Sequence, residues 1–439
     1  MQSGCLPGYL VRSADDLERY LVGQRSPALA ALGLPEEFVV PCHGLSAANV
    51  PATLAEMLGA RLPGAAAPLP DDLWLDLADR VQRVVWLIVD AAGWLHTREW
   101  FEEEPDMSLA RLARDGRFVP LTSVFPSTTT SALTTLWTGY GPAQHGLVGH
   151  MMYLREHGAV VDMLTFSPAG ERQRDQMLGR GLVPEEFSPV PGLAEALTGQ
   201  GVSVRTLINR DLAVTGFSRI SYRGVTEVVR FVTPADMCAR LHRMLAEHTH
   251  ERLLLVGYMH EVDNVGHLDG PGSPPWRAQM RSLAYSLERE FLSELTPEER
   301  RGTLLMLTSD HGQLPGAGAS VYAADFPELC RHLLLPVTGS LRAAYLYARQ
   351  GQLEAAERYL REHLSEQFFA IRSQAALDAG LLGTGRAAAE AANRIGDLIV
   401  IGRDHYLLDQ RKRERPPMGM HGGLSQWEML SPCLIARLD

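Results

Sequence analysis

Short, strongly apolar segments recur along the chain from Arg83 onward, and amphipathic stretches separate them. This alternation is typical of a mainly parallel β-sheet whose faces are covered by helices. Segments rich in Val, Leu and Ile that lack a polar face fit strands buried on both sides. Strands are therefore predicted at Val84–Val89, Val202–Leu207, Leu253–Tyr258, Leu304–Leu307 and Asp397–Ile401. We expect an α/β fold.

The first part of the chain differs from this alternating region. Residues 1–80 mix Pro, Gly and Ala with short helical patterns at Asp15–Val22 and Ala52–Leu62, and they carry little polar chemistry. We interpret residues 1–80 as an N-terminal extension that packs on a catalytic domain formed by residues 81–439.

A helical pattern interrupts the alternation late in the chain. Between Gln352 and Ile371 apolar residues recur at helical spacing, and the Ala-rich stretch that follows also favours helix. We interpret the region around residues 335–395 as a small inserted subdomain. The charged, Pro-terminated segment Asp409–Pro417 predicts a loop, which either is only solvated or grips a distal phosphate of a substrate.

Composition excludes several classes of protein. With 439 residues, of which 46% are hydrophobic and 21% charged, the chain can bury a large core and is not of the disordered type. The formal net charge of -11 gives no general attraction to nucleic-acid backbones or anionic membranes. We therefore expect a small-molecule substrate and neither a nucleic-acid polymer nor a membrane as partner; the oligomeric state stays open.

Cysteine usage and the N-terminal sequence bear on the compartment. The cysteines are odd in number and form no C-x-x-C pair, so neither a disulfide framework nor a thiolate zinc site is indicated. They are Cys5, Cys42, Cys238, Cys330 and Cys433. The first 20 residues lack a basic head followed by an apolar run, and no apolar run approaches the roughly 20 residues of a membrane span. We expect a soluble, cytoplasmic enzyme.

Side chains of metal-ligand type follow three of the predicted strands. One strand leads to Asp90, the next to Asp263 and His267, and the third to Asp310 and His311. Ligands of open α/β sheets bind beyond the carboxyl ends of the strands, so these side chains are expected to meet in one cleft. A single Asp after a strand is more often a turn or a helix cap, but three strands with this ending favour a site.

The spacing within these groups carries further information. Asp263 and His267 are four residues apart, so both side chains can face one ion from a helical turn. Gly312 follows the Asp-His pair and is expected to let the backbone turn away; the alternative is an Asp-His hydrogen bond beside a turn. His421 precedes two glycines and is either a ligand or a surface histidine.

A run of hydroxyl side chains precedes a predicted helix. In the segment FPSTTT, a strand is expected to lead into Pro126, and a helix is expected to begin near Ser131. A Thr at a helix start is usually an N-cap. The same position offers free N–H groups to a phosphoryl group, and a hydroxyl there could be deprotonated beside a metal ion and attack phosphorus.

Together these elements resemble the type I phosphodiesterase/nucleotide pyrophosphatase family of the alkaline-phosphatase superfamily. The resemblance covers roughly residues 83–439 and rests on the order of five elements. They are Asp90, FPSTTT with TGYGPAQHG downstream, Asp263 with His267, SDHG with Asp310 and His311, and HGG with His421. The resemblance implies an alkaline-phosphatase-like three-layer sandwich with a mainly parallel central sheet and a small inserted subdomain.

The resemblance also implies two zinc ions, although His and Asp ligands accept manganese as well. One ion would be held by Asp90, Thr129, Asp310 and His311, and the other by Asp263, His267 and His421. Counting back from the T-G turn of TGYGPAQHG selects Thr129 as the nucleophile, which would form a phosphothreonine intermediate, with Thr128 and Thr130 as fallbacks.

The segment around the nucleophile departs from the nucleotide-selective members of the family. Those members resemble one another in a Lys before the nucleophile, a Phe after it and an Asn three positions later, where this chain has Thr128, Thr130 and Ala132. Nucleotide selectivity is therefore open, and Trp137 or Tyr140 could supply an aromatic wall instead.

Three functions are compatible with these observations. The first is hydrolysis of phosphodiester or nucleotide pyrophosphate bonds. The second is a phosphomonoesterase or phosphonate hydrolase, which needs an extra cation; Arg403 and the Arg411–Arg415 loop are candidates. The third is a catalytically inactive metal-binding scaffold. A sulfatase is disfavoured because no C-x-P-x-R segment is present.

Overall fold

The computed structural model describes residues 13–316, 319–412 and 417–439. The N-terminal residues 1–12, with Cys5, residues 317–318 and residues 413–416 of the charged loop lie outside the described residues. The strands are β1 (Arg83–Val89), β2 (Arg117–Thr122), β3 (Met151–Leu154), β4 (Ala159–Asp162), β5 (Ser167–Pro168), β6 (Ser203–Asn209), β7 (Glu227–Phe231), β8 (Leu253–Met259), β9 (Thr303–Thr308), β10 (Leu314–Pro315), β11 (Ala319–Tyr322), β12 (Thr338–Gly339), β13 (Ala343–Leu346), β14 (Phe368–Arg372), β15 (Leu398–Gly402), β16 (Tyr406–Asp409), β17 (Gly419–Met420) and β18 (Leu430–Arg437).

Helices connect most of these strands. They are α1 (Ala14–Gly23), α2 (Pro27–Ala30), α3 (Val50–Met57), α4 (Trp94–Glu103), α5 (Ser108–Asp115), α6 (Thr129–Leu136), α7 (Pro142–His145), α8 (Pro184–Phe187), α9 (Leu193–Thr198), α10 (Gly216–Ser221), α11 (Pro234–Glu247), α12 (Glu261–Asp269), α13 (Pro274–Leu287), α14 (Pro297–Arg300), α15 (Pro327–His332), α16 (Leu353–His363), α17 (Ser373–Asp378), α18 (Ala391–Arg394) and α19 (Gln426–Met429). Among the described residues, no helix is long and apolar enough to cross a membrane.

The large sheet has the strand order β2-β18-β9-β1-β8-β6-β7. Strands β9, β1, β8, β6 and β7 pair in parallel, whereas β18 is antiparallel to both of its neighbours. The expected mainly parallel sheet is confirmed. Four of the five predicted strands belong to this sheet, and all five are present with ends that differ by at most two residues from the prediction. The fifth, Asp397–Ile401, was wrongly assigned to the parallel sheet, because it forms β15 of a second sheet and pairs antiparallel with both of its neighbours.

Strand β1 shows why the sheet forms the middle layer of a sandwich. All seven of its residues are buried. Val84, Trp86 and Ile88 belong to one hydrophobic core, whereas Val85 and Leu87 belong to another. Because alternate side chains of a strand point to opposite faces, the sheet has a separate core on each side. The three-layer α/β architecture expected from the sequence is thereby confirmed.

A second sheet has the order β14-β15-β13-β12-β3-β4-β5. It combines strands from residues 338–402 with strands from residues 151–168. The helix predicted from Gln352 to Ile371 is only partly correct, because α16 ends at His363 and Phe368–Arg372 forms a strand. There the β-forming side chains of Phe and Ile pair along β15, and this pairing outweighs the helical spacing. The subdomain boundary near 335–395 stays a prediction.

The described part of the N-terminal extension contacts the catalytic region. Leu17 and Leu21 of α1 belong to the same core as the first face of β1. The backbone N–H of Val39 donates to the carbonyl of Leu424 at 2.6 Å. The second helix predicted here ends at Met57, five residues earlier than expected, because Gly59 takes a positive φ of 65°.

Candidate metal centre and active site

Three neighbouring strands of the large sheet bring the predicted ligands together. Strands β9, β1 and β8 lie side by side in parallel, so their carboxyl ends share one edge of the sheet. Asp90 follows β1 directly, Asp310 and His311 follow β9, and α12 after β8 carries Asp263 and His267. The expectation that these side chains meet in one cleft rests on this order, and the structure has the same arrangement.

Asp90, Asp310 and His311 form the first cluster. Each offers one ligand atom, and these atoms lie within 4.8 Å of one another. The Nε2 atom of His311 is 3.6 Å from Oδ1 of Asp90 and 3.4 Å from Oδ2 of Asp310. These two carboxylate oxygens are buried and have no hydrogen-bond partner among the described residues. Because unpaired buried carboxylates are costly, the two oxygens indicate a place for a cation.

The electrostatics of the first cluster agree with this interpretation. Burial raises the pKa of Asp90 well above its usual value, and repulsion from Asp310 and Asp263 adds to the shift, although Tyr258 donates a hydrogen bond to its Oδ2. Burial also raises the pKa of Asp310. A bound cation favours the ionised form of a carboxylate and would oppose both shifts.

Asp263, His267 and His421 form the second cluster, again with ligand atoms within 4.8 Å of one another. Nε2 of His267 is 3.4 Å from Oδ2 of Asp263, and Nε2 of His421 is 3.7 Å from its Oδ1. The amide of Gln313 donates to Oδ1 of Asp263 at 2.6 Å. The rings of His421 and His311 stack with their centroids 3.9 Å apart, so the two clusters adjoin.

All three histidines of the clusters are held in the same way. In each ring Nδ1 lies within hydrogen-bond distance of a backbone carbonyl, which can only accept, so Nδ1 carries the proton and Nε2 the free lone pair. The acceptors are the carbonyls of Gly312 for His311 at 3.1 Å, Gly419 for His267 at 2.7 Å, and Ser127 for His421 at 3.0 Å. Burial lowers the pKa of His421 well below its usual value, and His311 and His267 add to this effect. Rings that are held through Nδ1, with Nε2 turned toward carboxylates, are oriented as metal ligands.

Two glycines of the site pack so closely against neighbouring residues that a side chain would not fit. A Cβ on Gly312 would lie 2.1 Å from the carbonyl oxygen of Trp427. Gly312 was expected to let the backbone turn away. Its φ is not in the left-handed region, so a glycine is needed there because a side chain would collide with Trp427. A Cβ on Gly266 would lie 1.8 Å from Oε1 of Gln313, whose amide contacts Asp263.

The loop that carries His421 is fixed by residues that the sequence alone did not reveal. The Ser127 hydroxyl donates to the carbonyl of Gly423 at 2.9 Å, and the N–H of Gly423 donates to Glu428 at 2.8 Å. Arg342 holds Glu428 by two hydrogen bonds of 3.1 and 3.0 Å, and both side chains are fully buried. Although burial opposes it, Arg342 keeps the pKa of Glu428 below its usual value.

Thr129 is the first residue of α6, with Thr128 at the N-cap. The helix begins two residues before the expected Ser131, and strand β2 ends at Thr122, before the expected Pro126. Oγ1 of Thr129 lies 3.1 Å from Nε2 of His311, and Thr129 is buried to 6% exposure. The predicted nucleophile therefore lies against the first cluster.

The two fallback threonines differ from Thr129 in their contacts. The Thr130 hydroxyl donates to the carbonyl of Gly149 at 2.9 Å. The Thr128 hydroxyl lies 3.3 Å from that of Ser131 and makes no capping hydrogen bond to the helix backbone. Of the three hydroxyls, that of Thr129 contacts a residue of the clusters.

A small cavity of about 150 Å³, here called the Thr129 pocket, opens beside Thr129. Thr129, Asp90 and Asp263 line it, and so do Arg174 and His260. The rest of the lining includes the apolar or aromatic side chains Leu133, Trp137, Ile208, Leu212, Phe217 and Tyr222. Of the two aromatic candidates, Trp137 thus lines the pocket, whereas the Tyr140 hydroxyl donates to the carbonyl of Pro63 at 3.0 Å.

A larger hollow of about 850 Å³, here called the His267 groove, opens beside the second cluster. Its lining includes His267, His421, Thr128, His150 and Arg411. The groove runs along the second sheet, since its lining continues through Met151, Val160, Asp162, Thr338 and Gly339.

The arginines considered from the sequence differ in position. Arg403 pairs with Glu37 at 3.0 Å and lines neither the Thr129 pocket nor the His267 groove. It does not supply the extra cation that a monoesterase would need. Arg411 lines the groove, and residues 413–415 lie outside the described part of the chain.

The sequence matches the model of one protein family, described as type I phosphodiesterase / nucleotide pyrophosphatase, over residues 84–424. The match covers more than half of the 439 residues and includes both clusters and Thr129. No curated protein sequence shows significant similarity to the chain.

Solved structures with the same fold include two kinds of hydrolase. Phosphonoacetate hydrolase from Sinorhizobium meliloti 1021, in complex with phosphonoformate, is 18% identical, with a TM-score of 0.62 and coverage of 86% of this chain and 92% of its own. Murine ectonucleotide pyrophosphatase / phosphodiesterase 5 is 15% identical, with a TM-score of 0.59 and coverage of 81% and 88%. The human protein of that name is 16% identical, with a TM-score of 0.60 and the same coverage. The alkaline-phosphatase-like fold is thereby confirmed.

Proposed function

We propose that this chain, which belongs to the type I phosphodiesterase/nucleotide pyrophosphatase family, hydrolyses phosphodiester or nucleotide pyrophosphate bonds with Thr129 as nucleophile. The observation that carries the proposal is the contact of 3.1 Å between the Thr129 hydroxyl and His311 of the first cluster. A hydroxyl at a helix start, beside carboxylates and neutral imidazoles, suits attack on a phosphoryl group.

The donor set fits two divalent cations, zinc or manganese. Asp90, Thr129, Asp310 and His311 would hold one ion, and Asp263, His267 and His421 the other. When bound, the two ions would stabilise negative charge on the phosphoryl oxygens and lower the pKa of the threonine hydroxyl. The two orphan carboxylate oxygens of the first cluster support this assignment.

The protein's own residues would carry out two displacements. In the first, the Thr129 hydroxyl releases its proton to solvent and Oγ1 bonds to phosphorus, while the bond from phosphorus to the leaving oxygen breaks and that oxygen keeps the electron pair. In the second, a water oxygen bonds to phosphorus, the phosphothreonine ester breaks, and a proton of the water passes to Oγ1, which restores the threonine hydroxyl. The free N–H groups at the start of α6 would orient the phosphoryl oxygens.

The proposal is tested with purified protein on p-nitrophenyl phosphate, bis-p-nitrophenyl phosphate and thymidine 5'-p-nitrophenyl phosphate, before and after EDTA treatment. Chelator-sensitive preference for the diesters supports it. Faster hydrolysis of the monoester would instead favour a phosphomonoesterase. Phosphonoacetate belongs in the same series, because one enzyme of this fold is a phosphonoacetate hydrolase.

Three matched variants separate the neighbouring hydroxyls. Thr129→Ala should lose turnover with the fold retained, because the bond-forming oxygen is removed. Thr130→Ala is the control, since its hydroxyl contacts Gly149 and not the clusters. Thr128→Ala tests the other fallback hydroxyl, which contacts Ser131 and lines the His267 groove. Turnover at the wild-type rate in Thr129→Ala, or its loss only in a control, would exclude Thr129 as nucleophile.

A further inference from the structure

The two hollows beside the clusters differ in size. The Thr129 pocket has a volume of about 150 Å³, whereas the His267 groove has about 850 Å³. Binding sites for ligands of ordinary organic size measure roughly 300–1,000 Å³, so the pocket suits a compact group and the groove a large one. A substrate that occupies both would therefore have a compact group on one side of the phosphorus and a large group on the other.

The position of the attacking hydroxyl indicates which of the two hollows receives the leaving group. Thr129 contacts His311 of the first cluster, whereas the groove opens at His267 and His421 of the second. In phosphoryl transfer the entering and leaving oxygens lie roughly in line on opposite sides of phosphorus. If Thr129 attacks from the first cluster, the leaving group departs on the side of the second cluster, where the groove begins.

The groove also contains groups that can donate hydrogen bonds to an anion, beside the carboxylates of Asp162 and Asp409. Arg411 is exposed and makes no hydrogen bond or ion pair within the part of the chain that the structure describes. Nε2 of His150 is 3.0 Å from Oδ1 of Asp162, and the His150 side chain is 36% exposed. Asp162 is itself fixed by the N–H groups of Leu164 and Thr165, both at 3.0 Å. The carboxylate thus orients His150 along the wall of the groove.

We propose that the His267 groove binds the leaving group and that Arg411 and His150 recognise negative charge on it. Preferred substrates would then release a phosphorylated leaving group, and the compact substituent of the attacked phosphorus would occupy the Thr129 pocket. This inference rests on the proposed function. In the bond-breaking step the electron pair stays on the leaving oxygen, and the charge that Arg411 contacts is the additional phosphate charge of the departing group.

Two substrates with the same retained group test the inference. Bis-p-nitrophenyl phosphate releases p-nitrophenolate, whereas the symmetrical bis-p-nitrophenyl diphosphate, cleaved between its phosphorus atoms, releases p-nitrophenyl phosphate. In Arg411→Gln, the fall in kcat/KM for the diphosphate should exceed the fall for the monophosphate diester by about tenfold, mainly through KM. His150→Gln should change the ratio in the same direction, and Arg411→Lys should restore most of it.

Arg403→Gln is the matched control, because Arg403 pairs with Glu37 and does not line the groove. It should leave the ratio of the two substrates unchanged. Equal losses on both substrates in Arg411→Gln would overturn the inference and leave the proposed function standing. A selective loss on p-nitrophenyl phosphate would also overturn it, because Arg411 would then contact the transferred phosphoryl group. If the wild-type protein hydrolyses neither compound, the proposed function fails and the inference with it.

Discussion

Replacing Asp310 by Asn should have opposite consequences for stability with and without metal. Oδ1 of Asp310 accepts from the N–H groups of Ala91 at 3.2 Å and His311 at 3.0 Å, and the Asn oxygen can keep both hydrogen bonds. Oδ2 has no hydrogen-bond partner in the described structure and lies 3.4 Å from Nε2 of His311, a position where an Asn amide can donate. Without metal, the variant loses a buried charge and should be at least as stable as the wild type.

With metal the effect should reverse, because the variant lacks an anionic ligand of the first cluster. Each ion present at 100 times its dissociation constant stabilises the native state by about 2.7 kcal/mol. Unfolding entropy of about 2.1 cal/mol/K per residue gives roughly 0.9 kcal/mol/K for 439 residues. Two ions should thus raise the wild-type Tm by about 6 °C, and the one remaining ion should raise the Tm of the variant by about half of that.

The assay is thermal unfolding at pH 8 in EDTA and after loading with zinc. Asp76→Asn is the control, because Asp76 pairs with Arg117 on the surface and its side chain is 61% exposed. Its metal-induced shift should equal that of the wild type. A lower Tm of Asp310→Asn in EDTA together with a full shift on zinc loading would refute the reasoning, since Asp310 would then stabilise the fold and bind no ion.

Three further predictions follow from the contacts of the site. Tyr258→Phe removes the hydrogen bond to Asp90 and should weaken metal binding about 10- to 100-fold, measured by competition with a chelator; unchanged affinity would contradict it. Arg342→Met leaves the buried Glu428 unpaired and should lower the free energy of unfolding by about 3–5 kcal/mol in denaturant titrations; a loss below 1 kcal/mol would argue against that role. In EDTA, the folded protein binds protons at Asp90 and Asp310 more tightly than the unfolded chain does, because both pKa values are raised. The stability gained from this proton binding is complete when the pH is below the ordinary pKa of 3.8, and it is lost as the pH rises through the pKa values of the folded state. The Tm of the wild type should therefore fall more steeply than that of Asp310→Asn as the pH is raised above 3.8, and parallel curves would contradict this.

The sequence predicted the parts of the fold that depend on continuous apolar runs. Strands such as Val84–Val89 were recognisable because every side chain in them is buried. No sequence pattern indicated the order of the strands in the sheet. The side chains of metal-ligand type after three strands were nevertheless enough to group Asp90, Asp263 and Asp310, because parallel strands end on one edge of a sheet. The strand Phe368–Arg372 was wrongly predicted as helix because edge pairing with β15 has no signature in one segment alone.

The supporting residues of the site could not be predicted for a related reason. Tyr258 lies within a buried strand and has the sequence signature of a core residue, although its hydroxyl reaches Asp90. Arg342 and Glu428 are 86 residues apart, and their pairing depends on the docking of the second sheet against the His421 loop. Polar residues of this kind acquire their role from tertiary contacts, so only the structure identifies them.

The proposed reaction requires that the Thr129 hydroxyl form a covalent bond to phosphorus. The most direct measurement is rapid acid quenching of metal-loaded protein during turnover of bis-p-nitrophenyl phosphate, followed by mass mapping of the modified peptide. We expect a p-nitrophenyl phosphoryl adduct on Thr129 that is absent in Thr129→Ala. An adduct on another residue, or burst-free turnover in Thr129→Ala at the wild-type rate, would contradict it.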